Sequence, residues 1–72
     1  MDNRLKVGDW LLVDDEGYLC MVDEIVQNNP RIIDLIWYVD HDYDNYSFQS
    51  INPEHHKIVK ITKEVADIMR KV

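Results

Sequence analysis

Apolar and polar positions alternate along most of this chain, and alternation marks strands that bury one face. In the first segment Leu11 and Val13 share a face, and in the second Cys20 and Val22 do. Asp14-Asp15-Glu16-Gly17 between them reads as a polar turn, with Gly17 free to take a positive φ. Gly8-Asp9 marks a second tight bend just before the first strand. The stretch Val7 to Ile25 is therefore expected to form a hairpin on which the rest of the chain packs.

Arg31 to Asp40 gives the clearest strand signal. Ile33, Leu35, Trp37 and Val39 fall on one side, and Ile32, Asp34, Ile36 and Tyr38 on the other. Apolar groups on both sides predict a central or covered strand. Gln27-Asn28-Asn29-Pro30 before it reads as a loop, and His41 to Asn45 after it as a polar turn. Tyr46 to Ile51 alternates again, Asn52 to His56 breaks the pattern, and Lys57 to Ile61 reads as a last strand whose lysines suit an exposed edge.

Thr62 then has the chemistry of a helix cap. Val65, Ile68, Met69 and Val72 follow at the spacing of one helical face. Glu64 and Asp67 suit the positive end of the helix dipole, and Arg70 and Lys71 the negative end. A helix over residues 63–72 is too short to persist alone, so it is expected to dock on the sheet by that stripe. The expected fold is mainly β: a single domain over residues 1–72, a small SH3-like barrel of four to five strands with a short C-terminal α-helix docked on it. An OB-fold fits less well, because its helix falls between the third and fourth strands.

Composition narrows the class. The chain has 72 residues, 46% of them hydrophobic, which suits one globular domain and argues against disorder. A domain this small buries about 60% of the surface its unfolded form exposes, so a net stability of roughly 3–5 kcal/mol is expected. The lone cysteine, Cys20, excludes an internal disulfide and fits a reducing, cytoplasmic location. Met1-Asp2-Asn3-Arg4 opens no apolar run, so no signal peptide is expected, and no apolar stretch approaches the roughly 20 residues of a membrane helix. The net charge of −6 is uneven: residues 1–56 carry twelve acids and three bases (−9), and residues 57–72 five bases and two acids (+3). An acidic body repels phosphate, which argues against direct nucleic-acid binding.

Few residues here suggest chemistry. His41, Asp42, Asp44, His55 and His56 are metal-ligand types, but they form no His-x-x-x-His pair and no cysteine pair accompanies them. Solvated polar loops have the same composition, so no metal and no cofactor is expected. There is no nucleophile elbow, no glycine-rich phosphate loop and no closely spaced acid–base pair, which points away from an enzyme. Lys57, Lys60, Lys63, Arg70 and Lys71 read as edge-guarding and helix-capping charges.

The aromatics say more. Trp10, Tyr18, Trp37, Tyr38, Tyr43, Tyr46 and Phe48 exceed the needs of so small a core. Trp37 is assigned to the core. Trp10, Tyr43, Tyr46 and Phe48, with Asp42 and Asp44 beside them, are the candidate binding residues. A cage for a methylated ammonium is one use of such a set; a broader protein- or peptide-binding surface is the preferred one. The expected function is a non-enzymatic protein-interaction module. The alternative is an acidic, phage-type regulator or inhibitor of a nucleic-acid-binding protein, whose runs Asp14-Asp15-Glu16, Asp23-Glu24 and Asp40 to Asp44 imitate a phosphate track.

Two resemblances accompany these residues. Val7-Gly8-Asp9-Trp10-Leu11-Leu12-Val13, then Gly17 and Val22-Asp23-Glu24-Ile25, resembles the opening of SH3-like barrels of the Tudor and KOW kind. It departs from a full KOW motif in lacking the glycine between basic strands. Over nearly its whole length the chain is also similar to small uncharacterised proteins from phages and mobile elements of gut bacteria. The matching positions are Gly8, the hairpin, Ser50-Ile51-Asn52-Pro53, Ile58 to Ile61, Thr62, and Lys63 onward. The proline-rich segment before the threonine and the terminal Gly-Phe of that group are missing. The likeness implies a fold and no chemistry.

Overall fold

Five of the alternating segments become strands in a computed structural model, which describes residues 5–70. They are β1 (Trp10–Val13), β2 (Tyr18–Asn28), β3 (Arg31–Tyr38), β4 (Tyr46–Ile51) and β5 (Ile58–Ile61), and one helix, α1 (Lys63–Met69), follows. All five strands lie in a single antiparallel sheet of order β4-β3-β2-β1-β5. Consecutive strands β1 to β4 form a meander, and β5 returns to pair with the outer side of β1. The protein is thus mainly β with one short C-terminal helix. The sheet does not close on itself, because β4 and β5 are its two edges.

Register explains which side chains meet. One face carries the row Leu11–Cys20–Trp37 and its neighbours Val13, Val22–Leu35 and Ile25–Ile33–Ile51. Leu5, Leu11, Val13, Cys20, Val22, Ile33, Leu35 and Ile51 are buried together there, with Ile25, Trp37 and Ile58 packed against them. Both apolar pairs expected in the hairpin, Leu11 with Val13 and Cys20 with Val22, face this core. Trp37 is half-buried at its margin, where its ring lies 4.9 Å from that of Tyr18.

The opposite face also carries apolar rows. Across the strands, Trp10, Met21, Ile36 and Phe48 stand opposite one another, as do Leu12, Leu19, Tyr38 and Tyr46. Leu19 is fully buried on this side. A strand apolar on both faces has to be covered on both, and α1 supplies part of the second cover.

Irregularities sit where the sheet bends. β2 runs to Asn28, past the loop expected at Gln27, and its pairing with β3 slips at Val22/Glu24 and again at Ile25/Gln27. Each slip inserts an extra residue and sharpens the local twist, which curls a long strand over the core. β3 stops at Tyr38, two residues before the end expected at Asp40, because Val39–His41 forms a single 3-10 turn. The β1–β2 turn is closed by the Gly17 amide donating to the Asp14 carbonyl at 3.1 Å, with φ of +64° at Asp14 and +71° at Gly17.

The helix starts where its cap was expected. The Thr62 hydroxyl accepts from the Val65 amide at 3.1 Å. It ends earlier than expected, because Arg70 is extended (φ −64°, ψ 146°); Lys71 and Val72 lie outside the described residues. The expected docking stripe is corrected as well. Val65 is 40% exposed and Ile68 81%, Met69 is half-buried, and the fully buried residue of α1 is Ala66. Only Thr62 separates β5 from α1, so the strand's exit direction fixes which helical face meets the sheet. The face it turns inward carries a small residue flanked by long cationic and acidic side chains.

Candidate functional site

The functional question centres on the second face of the sheet, where the aromatics gather. Alternation places Trp10, Tyr38, Tyr46 and Phe48 on that face from three different strands. Tyr43 joins them from the loop between the 3-10 turn and β4. The Trp10 ring stacks on Tyr38 at 5.6 Å and meets Tyr43 at 5.4 Å, and Tyr38 and Tyr43 lie 4.9 Å apart. Tyr46 approaches Tyr38 edge-on at 6.3 Å and Phe48 at 5.8 Å. Five rings thus form one continuous strip from β1 to the edge strand β4.

The two ends of the strip differ in what covers them. Over the β1 end lies α1. Its Lys63 ammonium stands 5.9 Å from the Trp10 ring centre, and its Arg70 guanidinium 5.1 Å from that of Tyr43. Ring faces carry partial negative charge, so these cations are attracted to them. The Tyr43 hydroxyl donates to Asp67 at 2.9 Å, and Lys63 donates to the same carboxylate at 3.1 Å. Desolvation, with the Asp67 bond second, pushes the Tyr43 phenol up to about 12. The hydrogen bonds from Lys63 and then Tyr43 hold the Asp67 carboxyl below its usual range. His41 adds a further tie: its Nδ1 lies 3.0 Å from the Met69 carbonyl oxygen and its Nε2 2.9 Å from that of Gly17. Both nitrogens thus face carbonyl acceptors, one on the β1–β2 turn and one at the end of α1.

The β4 end is open. Tyr46 is 54% exposed and Phe48 62%, with Ile36 and Met21 half-buried beside them. Acids bracket this end. Glu24, Asp34 and Ser50 form the next row across the strands, with the Ser50 hydroxyl donating to Asp34. Beyond Tyr46 comes the turn holding Asp40, Asp42 and Asp44, in which the Asp42 carboxylate accepts the Asp44 amide at 2.9 Å.

The six residues singled out in the sequence therefore separate into two groups. Trp10 and Tyr43 are half-buried beneath α1, where they seat the helix. Tyr46 and Phe48 present their rings to solvent, with Asp42 and Asp44 in the adjoining turn. Tyr38, read earlier only as one of several aromatics, joins the two groups; its position opposite Tyr46 is visible only once the β3–β4 register is known.

The histidines do not converge. His41 is engaged as above, His56 Nδ1 lies 3.0 Å from Asp14 Oδ1, and His55 is exposed. Among the described residues no group of three or more His, Cys, Asp or Glu side chains is arranged to hold a metal ion. A separate cleft of about 600 Å³ opens at the other end of the core, lined by Leu5, Asn28, Arg31, Pro53, Ile58 and Lys60 among others. Arg31 spans it to donate to the Leu5 carbonyl and to Asn28. No described helix is long and apolar enough to cross a membrane.

No protein-family model, no curated protein and no solved structure matches the chain.

Proposed function

We propose that this protein is a non-enzymatic binding module that engages another protein through the open end of its aromatic strip. The observation carrying this reading is the pair Tyr46 and Phe48, two large rings more than half exposed side by side on an edge strand. Burying aromatic surface of that kind is a common source of interface energy, and aromatic residues are enriched at protein interfaces. The rest of the strip is already engaged, Trp10 with Tyr38 and Lys63, and Tyr43 with Arg70, which leaves Tyr46 and Phe48 as the rings open to a partner. The strand order and the 3-10 turn at Pro53–His55, just before β5, support an SH3-like plan for the scaffold.

The test is differential capture. The double variant Tyr46→Thr/Phe48→Thr keeps β-forming residues while removing both rings. It is expected to melt within a few degrees of the parent and to lose the proteins the parent retains from an extract. Ile68→Ser, on the exposed side of α1, serves as the control and is expected to retain them. A retained set identical for the parent and the double variant overturns the reading.

A further inference from the structure

The backbone of β4 points to how a partner attaches. In an antiparallel pair, residues that exchange hydrogen bonds alternate with residues that do not. The Val39 amide donates to the Asn45 carbonyl at 2.8 Å, which makes that pair a bonded one. Continuing the register, Trp37/Ser47, Leu35/Gln49 and Ile33/Ile51 are bonded pairs too. Tyr46, Phe48 and Ser50 therefore turn their own N–H and C=O groups away from β3, toward the open edge of the sheet. These are the residues whose side chains lie on the aromatic face.

Edges of this kind are normally blunted by lysine, proline or a bulge. The opposite edge strand, β5, carries Lys60 and follows Lys57. β4, reading Tyr-Ser-Phe-Gln-Ser-Ile, has no charge and no proline, and its pairing with β3 is unbroken. Acids flank the exposed rings of β4 at both ends. The cations Lys63 and Arg70 sit instead at the covered β1 end of the strip, over Trp10 and Tyr43, with Lys63 also bound to Asp67. Glu24 and Asp34 lie at one end of the exposed rings, and Asp40, Asp42 and Asp44 at the other. The one base on β3 or β4, Arg31, is tied to Leu5 and Asn28 on the core side.

Resting on the binding reading above, we propose that the partner is a basic extended segment that adds to β4 as a sixth strand, antiparallel like every other pair in the sheet. Its backbone pairs with Tyr46, Phe48 and Ser50. Alternate apolar side chains lie over the two rings, and a Lys or Arg at each end meets the acids that bracket them. The spacing of Asp44, Tyr46, Phe48 and Ser50 specifies the pattern: basic, any, apolar, any, apolar, any, basic. A second copy of this chain is disfavoured as the occupant, because it would bring these acids against their own kind.

The probe is the blocked peptide Lys-Thr-Val-Thr-Val-Thr-Lys, titrated into the 15N-labelled full chain. Three comparison peptides accompany it: one with both lysines replaced by glutamate, one N-methylated at both valines, and one N-methylated at the threonines. The parent peptide is expected to shift the Tyr46 and Phe48 amides and slow their hydrogen exchange. The glutamate and N-methyl-valine peptides should bind at least tenfold more weakly, and the N-methyl-threonine peptide about as well as the parent. Raising NaCl from 50 mM to 500 mM should weaken the parent peptide several-fold. Equal binding of the N-methyl-valine peptide overturns strand addition while leaving a docking role for Tyr46 and Phe48. Equal binding of the glutamate peptide overturns the basic partner. Failure of all four peptides overturns the proposal, and the differential capture above still decides the binding reading. A dimer in sedimentation with the Tyr46 and Phe48 amides already protected assigns the edge to a second copy and overturns the proposal as well.

Discussion

At Cys20 the sulfur lies within the core, its Sγ 3.7 Å from the Tyr18 carbonyl oxygen. Burial, with the charge of Asp14 second, pushes the thiol up to about 12 from an ordinary 9.0. The reactive species is the thiolate, so at pH 8 the native thiol holds roughly 10³-fold less of it than an unfolded one. Iodoacetamide at that pH is expected to leave native Cys20 unmodified over a period in which the urea-unfolded chain reacts fully. The same shift makes stability depend on pH. Cys20 and Tyr43 both hold their protons more tightly folded than unfolded, so their contribution is complete below about pH 9 and is lost as pH rises toward 12. Urea midpoints should be level from pH 7 to 8.5 and fall above that. Desolvation raises the Tyr38 phenol as well. Tyr43→Phe, which removes one of these three groups and its bond to Asp67, should make the alkaline fall shallower and lower stability at pH 7 by about 0.5–1.5 kcal/mol.

The helix shows how far periodicity carries at the scale of an element. Ala66 is fully buried, so Ala66→Leu is expected to cost about 1–3 kcal/mol by overpacking the inward face of α1. Ile68→Ser, at a position 81% exposed, should change stability by less than about 0.5 kcal/mol. If the two costs were reversed, the docked face would be the one the apolar spacing suggested. The end of β1 and the starts of β2 and β4 were legible because turn chemistry at Asp14 to Gly17 and at His41 to Asn45 sets them. The ends of β2 and β3 were not, because β2 runs on to Asn28 and a 3-10 turn takes Val39 and Asp40. Thr62 was legible as a cap because its hydroxyl serves a local partner, the Val65 amide. The docked face was not, because it depends on distant partners. In the sequence Lys63 and Arg70 read as edge-guarding and helix-capping charges and Asp67 as a match for the helix dipole, yet in the fold they lie against Trp10 and Tyr43. The same reason divided the candidate site. Exposure of Trp10 and Tyr43 hinges on where α1 settles, whereas that of Tyr46 and Phe48 follows from β4 being an edge. The bulges that curl β2 leave no local signature in Val22 to Gln27, where apolar and polar residues alternate irregularly.

Across the whole molecule, β1 is the strand on which both faces depend. It pairs with β2 on one side and β5 on the other, sends Leu11 and Val13 into the core, and sends Trp10 under α1. Its pairing with β5 joins Trp10 to Ile61, so the hairpin and the C-terminal segment cannot come apart without losing the strand they share. One cooperative transition is therefore expected, with no stable sub-structure once β1 leaves. Leu11 is fully buried, and its truncation to alanine costs about 2–5 kcal/mol in a well-packed core. A chain of this size has only about 3–5 kcal/mol in total. Leu11→Ala should therefore be largely unfolded at 37 °C, with the amide resonances of β4 and α1 collapsing together with those of β1. Val59→Ala, half-exposed on β5, should leave the spectrum dispersed. A Leu11→Ala spectrum in which β2, β3 and β4 stay dispersed while only β1, β5 and α1 collapse would show that β2 to β4 stand by themselves, and the edge at β4 would then be independent of β1.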